Sequence, residues 1–466
     1  MSSQVRVLNI SHVRPVQTAG LSQSRQGEHK LSFLDLSQMS KIIQRLFLFD
    51  GPDLPPFPSV VSALQSSLAA TLAVYLPLAG VLSFRPDSGD VVIDLSPAAI
   101  SSSQGVKFVE AEFAGSAEAM RRLARDDEHD TGAFVRLVPE LEAARLPAPV
   151  LAVGVSIRHA VADGHAVWQF LRAWSTASRE GPGSLNEPGF VQPTFDRTGI
   201  IRCTRSAEVS RAVLSMVSPA LPLIEQLRST SSETEIMQQI STRTFLLRAD
   251  EIRSLKQQIL RQSSALNSGA APSKPPSTYV AIVSLVWASI ARAKLTTMLD
   301  ADDAYIVVTA DCSSRLRPPL GDGFFGNCVK PCVARVRAGD LRGEATGVAR
   351  AAAAIQHAIH VHLEGDPLSD AERWVAAYGA IPKERLVAVG SSNRFMAYET
   401  DFGWGGPSHV ELVSVFPAQL VTLLGARDGG VQVSVALDRA TMDGFAPNLV
   451  VSAPISAVGA AAADAV

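Results

Sequence analysis

Apolar and polar positions alternate in short runs over the first third of the chain, the pattern of half-buried strands. Val5 to Ile10, Lys30 to Leu36, Gln44 to Phe49, Val81 to Phe84, Val91 to Leu95 and Val106 to Phe113 are such runs. One helix-length apolar stretch, Ser59 to Tyr75, interrupts them, introduced by Pro56 and Pro58 and stopped by Pro77. Ala117 to Ala124 predicts a short helix, and the acidic patch Asp126 to Asp130 after it predicts a solvated loop. The second half repeats the mixture. Strands are predicted at Thr242 to Leu247, Tyr305 to Ala310, Cys328 to Val336, Val410 to Phe416 and Val431 to Leu437. Helices are predicted at Glu251 to Arg261, Thr278 to Lys294, Gly343 to His362 and Met442 to Val450.

The most informative pattern lies between these halves. Ala148 to Ile157 is almost continuously apolar, as a strand buried on both faces should be. After it, Val167, Phe170, Leu171 and Trp174 recur at the spacing of an amphipathic helix. Between them stands Arg158-His159-Ala160-Val161-Ala162-Asp163-Gly164. Reactive groups are commonly carried where a buried strand hands over to a helix. Gly164 suits a sharp turn at that junction. A neutral imidazole there can act as a general base toward a hydroxyl. Asp163 reads as structural support, and Arg315, just past the predicted strand ending at Ala310, is the cation expected to neutralise it. The plainer alternative for His159 is a loop histidine held by its own backbone. His362 to Asp366 has the same spacing, but it follows an Ala-rich helix and precedes Pro367, so it reads as a surface helix end.

From Gly181 to about Glu233 the chain turns rich in Gly, Pro and Ser, with helical character only around Ala207 to Met216. A stretch this long with weak periodicity predicts a crossover (181–233) between an N-terminal unit (1–180) and a C-terminal unit (234–466). A length of 466 residues is enough for two such cores. The net charge of −3 and the absence of a long basic block argue against nucleic acid or an anionic membrane surface as partner. Thr71 to Phe84, the longest apolar run, is too short to span a bilayer. Four cysteines make no disulfide framework, and Cys328 and Cys332 lack a second facing pair, so no metal is expected. With no leader-like pattern at Met1 to Arg6, a cytoplasmic location is expected.

A second candidate stretch is Thr400-Asp401-Phe402-Gly403-Trp404-Gly405-Gly406-Pro407. Three glycines around two aromatics favour a tight, shaped loop over a strand. Its aromatics could plug the core. Alternatively, the Trp404 indole N–H could face a cavity as an oxyanion donor, a role worth about 3–4 kcal/mol in comparable sites.

His159-Ala-Val-Ala-Asp163-Gly164 together with Asp401-Phe402-Gly403-Trp404-Gly405 resembles the paired motifs of the plant BAHD acyl-CoA-dependent acyltransferases, and Phe324 to Cys328 resembles a stretch typical of the branch acting on anthocyanins, flavonoids and other phenolic glucosides. The resemblance runs along nearly the whole chain. It includes Leu31 to Asp35, Tyr75-Leu-Pro-Leu-Ala-Gly80, Pro193 to Arg197, Ser277 to Val280, Asp311 to Arg315 and Phe324-Phe-Gly-Asn-Cys328, in family order. It implies two α/β domains like chloramphenicol acetyltransferase, each a mixed sheet with flanking helices, with a solvent channel between them. It implies acyl-CoA as co-substrate without a further cofactor, a phenolic glycoside acceptor, a monomer, and direct attack of a sugar hydroxyl on the thioester with His159 as base. It also implies that Asp163 pairs with Arg315 and that Asp401, Phe402, Gly403 and Gly405 are structural. Several malonyl-transferring members carry an arginine eight residues after the histidine, held to grip the malonyl carboxylate. Here that position is Val167, which leaves malonyl and hydroxycinnamoyl donors open and makes Arg45 and Arg172 the candidate replacement cations. N-acylation of an amine, and a catalytically silent binding protein of the same fold, are the alternatives.

Overall fold

The computed structural model describes residues 5–16, 27–113, 137–138, 150–202, 205–217, 240–266, 274–413 and 419–449. The predicted helix at Ala117 to Ala124 and the acidic patch Asp126 to Asp130 lie outside the described residues. The first half runs β1 (Val5–Val13), β2 (Glu28–Lys30), α1 (Phe33–Leu36), β3 (Ile42–Asp50), α2 (Phe57–Val74), β4 (Val81–Arg85), β5 (Asp90–Asp94), β6 (Val106–Phe113), β7 (Val150–Arg158) and α3 (Gly164–Glu180), then α4 (Ser206–Val217). The second half runs β8 (Ile240–Leu247), α5 (Ala249–Leu266), α6 (Thr278–Ala293), β9 (Asp303–Asp311), β10 (Val329–Arg337), α7 (Gly347–Leu363), β11 (Leu386–Val389), β12 (His409–Glu411), β13 (Leu420–Gly425), β14 (Val431–Asp438) and α8 (Arg439–Asn448).

The second half builds one six-stranded mixed sheet in the order β10-β9-β11-β13-β14-β8. Its core is packed by α5, α6, α7 and α8 through residues such as Leu255, Trp287, Ile355 and Phe445. The first half differs from a single sheet: among the described residues its strands fall into β1-β6, β2-β5-β4 and β12-β3-β7. In the last of these, β12 comes from the second half and pairs antiparallel with β3, His409 opposite Leu48. The first core likewise takes in Cys312, Phe325, Phe402 and Val410, so the two units interleave. Val60, Leu64, Leu68 and Leu72 of α2 are buried. That helix is long and apolar enough to cross a membrane, yet it lies against α3, where the Trp174 indole donates to the Leu64 carbonyl at 3.3 Å and the Ser67 hydroxyl at 3.1 Å.

One expected strand is wrong. Lys30 to Leu36 divides into the end of β2 and the short helix α1. The reason is a capping box: the Ser32 hydroxyl accepts from the Asp35 amide while Asp35 accepts from the Ser32 amide. That spacing was present in the sequence and outweighs the apolar run around it.

β3 and β7 pair without interruption from Ile42 opposite Arg158 to Asp50 opposite Val150. The ladder continues one step beyond, His159 donating its amide to the Lys41 carbonyl at 3.0 Å. Successive side chains point to opposite faces, and this sheet is buried on both. Phe47 and Phe49 pack toward α3, whereas Leu46 and Leu48 join Phe113 and Val413 behind it.

Aromatic rings carry the packing from one family-like stretch to the next. Trp404 stacks on Phe402, which meets Trp174 edge-on at 5.0 Å; Trp174 stacks on Phe170, Phe170 meets Tyr75, and Tyr75 meets Phe325 at 5.1 Å. Phe402, between Trp404 and Trp174 in this spine, is 1% exposed and also touches Phe49. Phe402→Ala should therefore cost about 3–5 kcal/mol in chemical denaturation, and a loss below about 1 kcal/mol would contradict this packing role.

Candidate active site

His159 sits at the end of β7, one residue past the paired strand, and keeps part of its surface open to solvent. Its Nδ1 is buried without a hydrogen-bond partner among the described residues. Burial lowers the imidazole pKa from 6.5 to about 4, and the charges of Lys41 and Arg45 push the same way. Its own backbone and the Asn327 side chain favour the protonated ring, offsetting only part of this. The ring is neutral near pH 7.

Asp163 caps the N-terminus of α3. Its Oδ1 accepts from the Ala166 amide at 3.0 Å and its Oδ2 from the Cys328 amide at 3.1 Å. Its own amide donates to the Gly326 carbonyl. Burial raises its pKa, with the two backbone amides opposing that effect. The expected turn lies just before Gly164, at His159 to Val161, where the Val161 amide donates to the Arg158 carbonyl at 3.0 Å, and Gly164 itself has no left-handed backbone angle. A Cβ there would lie 3.0 Å from Cζ of Phe395, so a larger residue would have to displace that ring.

The expected Asp163–Arg315 ion pair is absent. Arg315 is exposed in a short turn, and the Asp163 carboxylate takes backbone amides from Ala166 and Cys328 instead. The buried ion pair of this region is a different one. Asp35 is 0% exposed, and its Oδ2 accepts from Nε of Arg197 at 2.8 Å and from the Ser32 amide and hydroxyl at 2.9 and 2.7 Å. Its Oδ1 accepts from both the backbone amide and the side-chain amide of Asn327, each at 3.0 Å. The Asn327 side-chain amide also donates to the His159 carbonyl at 2.9 Å. Arg197 reaches the Val161 carbonyl at 3.4 Å. Three segments far apart in sequence thus close on the loop that carries His159.

A family model described as the Transferase family matches residues 16–449. The chain belongs to this family, which includes the BAHD acyltransferases. Its similarity to curated proteins extends over nearly the full length. Phenolic glucoside malonyltransferase 1 of Bemisia tabaci is 28% identical over 96% of both chains. The protein of that name from Arabidopsis thaliana is 26% identical over 95% of this chain and 96% of its own. Among solved structures, vinorine synthase superposes with a TM-score of 0.71 at 18% identity, covering 96% of this chain and 98% of that one. TRI101 of F. graminearum, complexed with coenzyme A and deoxynivalenol, gives 0.61 at 14% identity over 89% and 96%. These likenesses establish the two-domain α/β fold.

In this BAHD chain the Asp401 to Gly405 loop is remote from His159. Trp404 packs 5.9 Å from Phe49, which pairs with Leu151, eight residues before His159. That is roughly 26 Å along an extended strand, so Trp404 is not an oxyanion donor. The loop is structural: Asp401 Oδ1 accepts from the Gly403 and Gly405 amides at 2.8 and 2.9 Å, and Arg179 at the end of α3 donates to the Asp401 carbonyl. Arg172 is exposed on α3, and its charge is felt at Tyr75 rather than at His159. Arg45 is buried against Trp168. Sequence reasoning gave Asp35, Arg197 and Asn327 no role, although each lies in a stretch that resembles the family.

The structure separates the two arginines. Asp35→Asn leaves Arg197 buried without its anion and should cost about 3–5 kcal/mol. Arg315→Ala should change stability by no more than about 0.5 kcal/mol. Equal loss in the two variants, measured by urea denaturation, would reverse the assignment.

Proposed function

We propose that this protein transfers an acyl group from a coenzyme A thioester to a sugar hydroxyl of a phenolic glycoside, with His159 as general base. The observation that carries the reading is a partly exposed imidazole at a strand end, fixed through its backbone by Lys41 and Asn327. The names of relatives over nearly the full length, phenolic glucoside and anthocyanin malonyltransferases, support the substrate class and favour an oxygen over a nitrogen nucleophile.

In this mechanism His159 takes the hydroxyl proton as the oxygen attacks the thioester carbonyl. The tetrahedral intermediate collapses with cleavage of the carbon–sulfur bond, and the imidazolium returns the proton to the departing thiolate. No acyl group is held on the enzyme. An imidazole of low proton affinity is a modest base but a strong acid once protonated, which suits thiolate protonation. Asp163 contributes by capping α3 and holding the loop through backbone amides, and it touches no substrate.

Two measurements test this. His159→Ala should lower thiol release from acyl-CoA in the presence of a glucosylated phenol by about 100–10,000-fold, with the melting temperature retained; a rate within threefold of wild type would sink the general-base role. Because the imidazole pKa is depressed to about 4, the ring stays unprotonated as pH falls from 8, and kcat/KM should decline only as pH approaches that value. An acid limb centred near 6.5 would contradict it.

A further inference from the structure

Among the buried cations of the described residues, Arg45 is set apart by a side-chain nitrogen that is buried with no acceptor. Arg197 is neutralised by Asp35, Lys330 by Asp370 at 2.7 Å, and the Lys294 ammonium donates to the Glu384 carbonyl. Arg45 is 6% exposed, and no carboxylate of the described residues lies within ion-pair distance of it. Nη1 donates to the Gln44 carbonyl at 2.7 Å, but Nε is buried with no acceptor. An uncompensated buried charge is unfavourable, so its retention asks for an anion from elsewhere.

The surroundings point to where that anion would sit. Arg45 lies on β3 opposite Val155, on the face directed at α3. Its guanidinium stands 5.9 Å from the Trp168 ring, and the Trp168 indole N–H is also buried without an acceptor. Two donors of one packed pair are thus unmatched, and both are donors only. The Arg45 charge is felt at His159, which places it within electrostatic reach of the reacting centre. An anion bound at Arg45 would also offset that positive field.

We propose that Arg45, with the Trp168 indole N–H, receives the free carboxylate of a short dicarboxylic acyl group while its thioester carbon lies at His159. The donor class is then a carboxylate-terminated acyl-CoA such as malonyl-CoA, and Arg45 is its specificity-determining residue. A bulky neutral aromatic acyl group would leave both donors unmatched. The assignment rests on the acyl-transfer reading above. It replaces a cation at the Val167 position with one from the neighbouring strand.

The test compares malonyl-CoA with acetyl-CoA, using a glucosylated phenol as acceptor and following free thiol. Wild type should favour malonyl-CoA in kcat/KM by at least about 100-fold. Arg45→Met should reduce that ratio about 100-fold, and Arg45→Lys should restore part of it, with the effect mainly in KM for the malonyl donor. Equal use of the two donors by wild type overturns the assignment, even where a variant fails to fold. So does an Arg45→Met protein that loses both donors to the same extent. Transfer from neither thioester would overturn the acyl-transfer reading itself, and the assignment with it.

Discussion

A carboxylate with no exposed surface has to be matched on every lone pair it presents, and Asp35 is such a group. Ser32 from its own helix cap, Arg197 from the segment between α3 and α4, and Asn327 from the second half all converge on it. None of these segments is near another in sequence. Closing them on one buried charge fixes where the second half meets the first, and the Asn327 side chain passes that constraint to the His159 carbonyl. The pair also shows what a buried charge does for a protein even where its net stability is modest. It excludes other arrangements, because any one in which Asp35 or Arg197 is unpartnered is costly.

The strand and helix flanking His159 were legible because their apolar patterns are long and unambiguous. β7 and α3 fall within a few residues of the predicted spans. Asp163 was legible as support, but its means of support was not. A carboxylate at a helix start can be satisfied by amides of the first turn, and it needs no cation. The expectation of Arg315 came from treating Asp163 as an isolated buried charge. Trp404 failed for a reason that no local pattern shows: its distance from His159 is set by the register of β3 on β7. Asp35 was hidden inside an apolar run that read as a strand, although Ser32-Phe33-Leu34-Asp35 carries a capping box. The interleaving of the two units through β12 depends on tertiary pairing, which a three-residue strand cannot announce.

The aromatic spine and the polar network play complementary parts. The spine joins the Asp401 to Gly405 loop to α3, Tyr75 and Phe325 by non-directional burial. The network sets the orientation of the loop that carries His159. Phe325 and Asn327 lie two residues apart, so a single stretch, Phe324 to Cys328, belongs to both. Gly326 between them has no room for a side chain: a Cβ there would lie 2.7 Å from Cζ of Phe324 and 3.0 Å from Nη2 of Arg197. The same stretch supplies the amide that holds Asp163.

The central claim is that this network presents His159 to substrate through Asn327, rather than merely holding the fold together. Steady-state kinetics of Asn327→Ala test it most directly, with the melting temperature followed alongside. A loss of at least about tenfold in kcat, at a KM for acyl-CoA near that of wild type and with folding retained, is the result expected of a positioning residue. An unchanged kcat in a folded Asn327→Ala protein would contradict the claim.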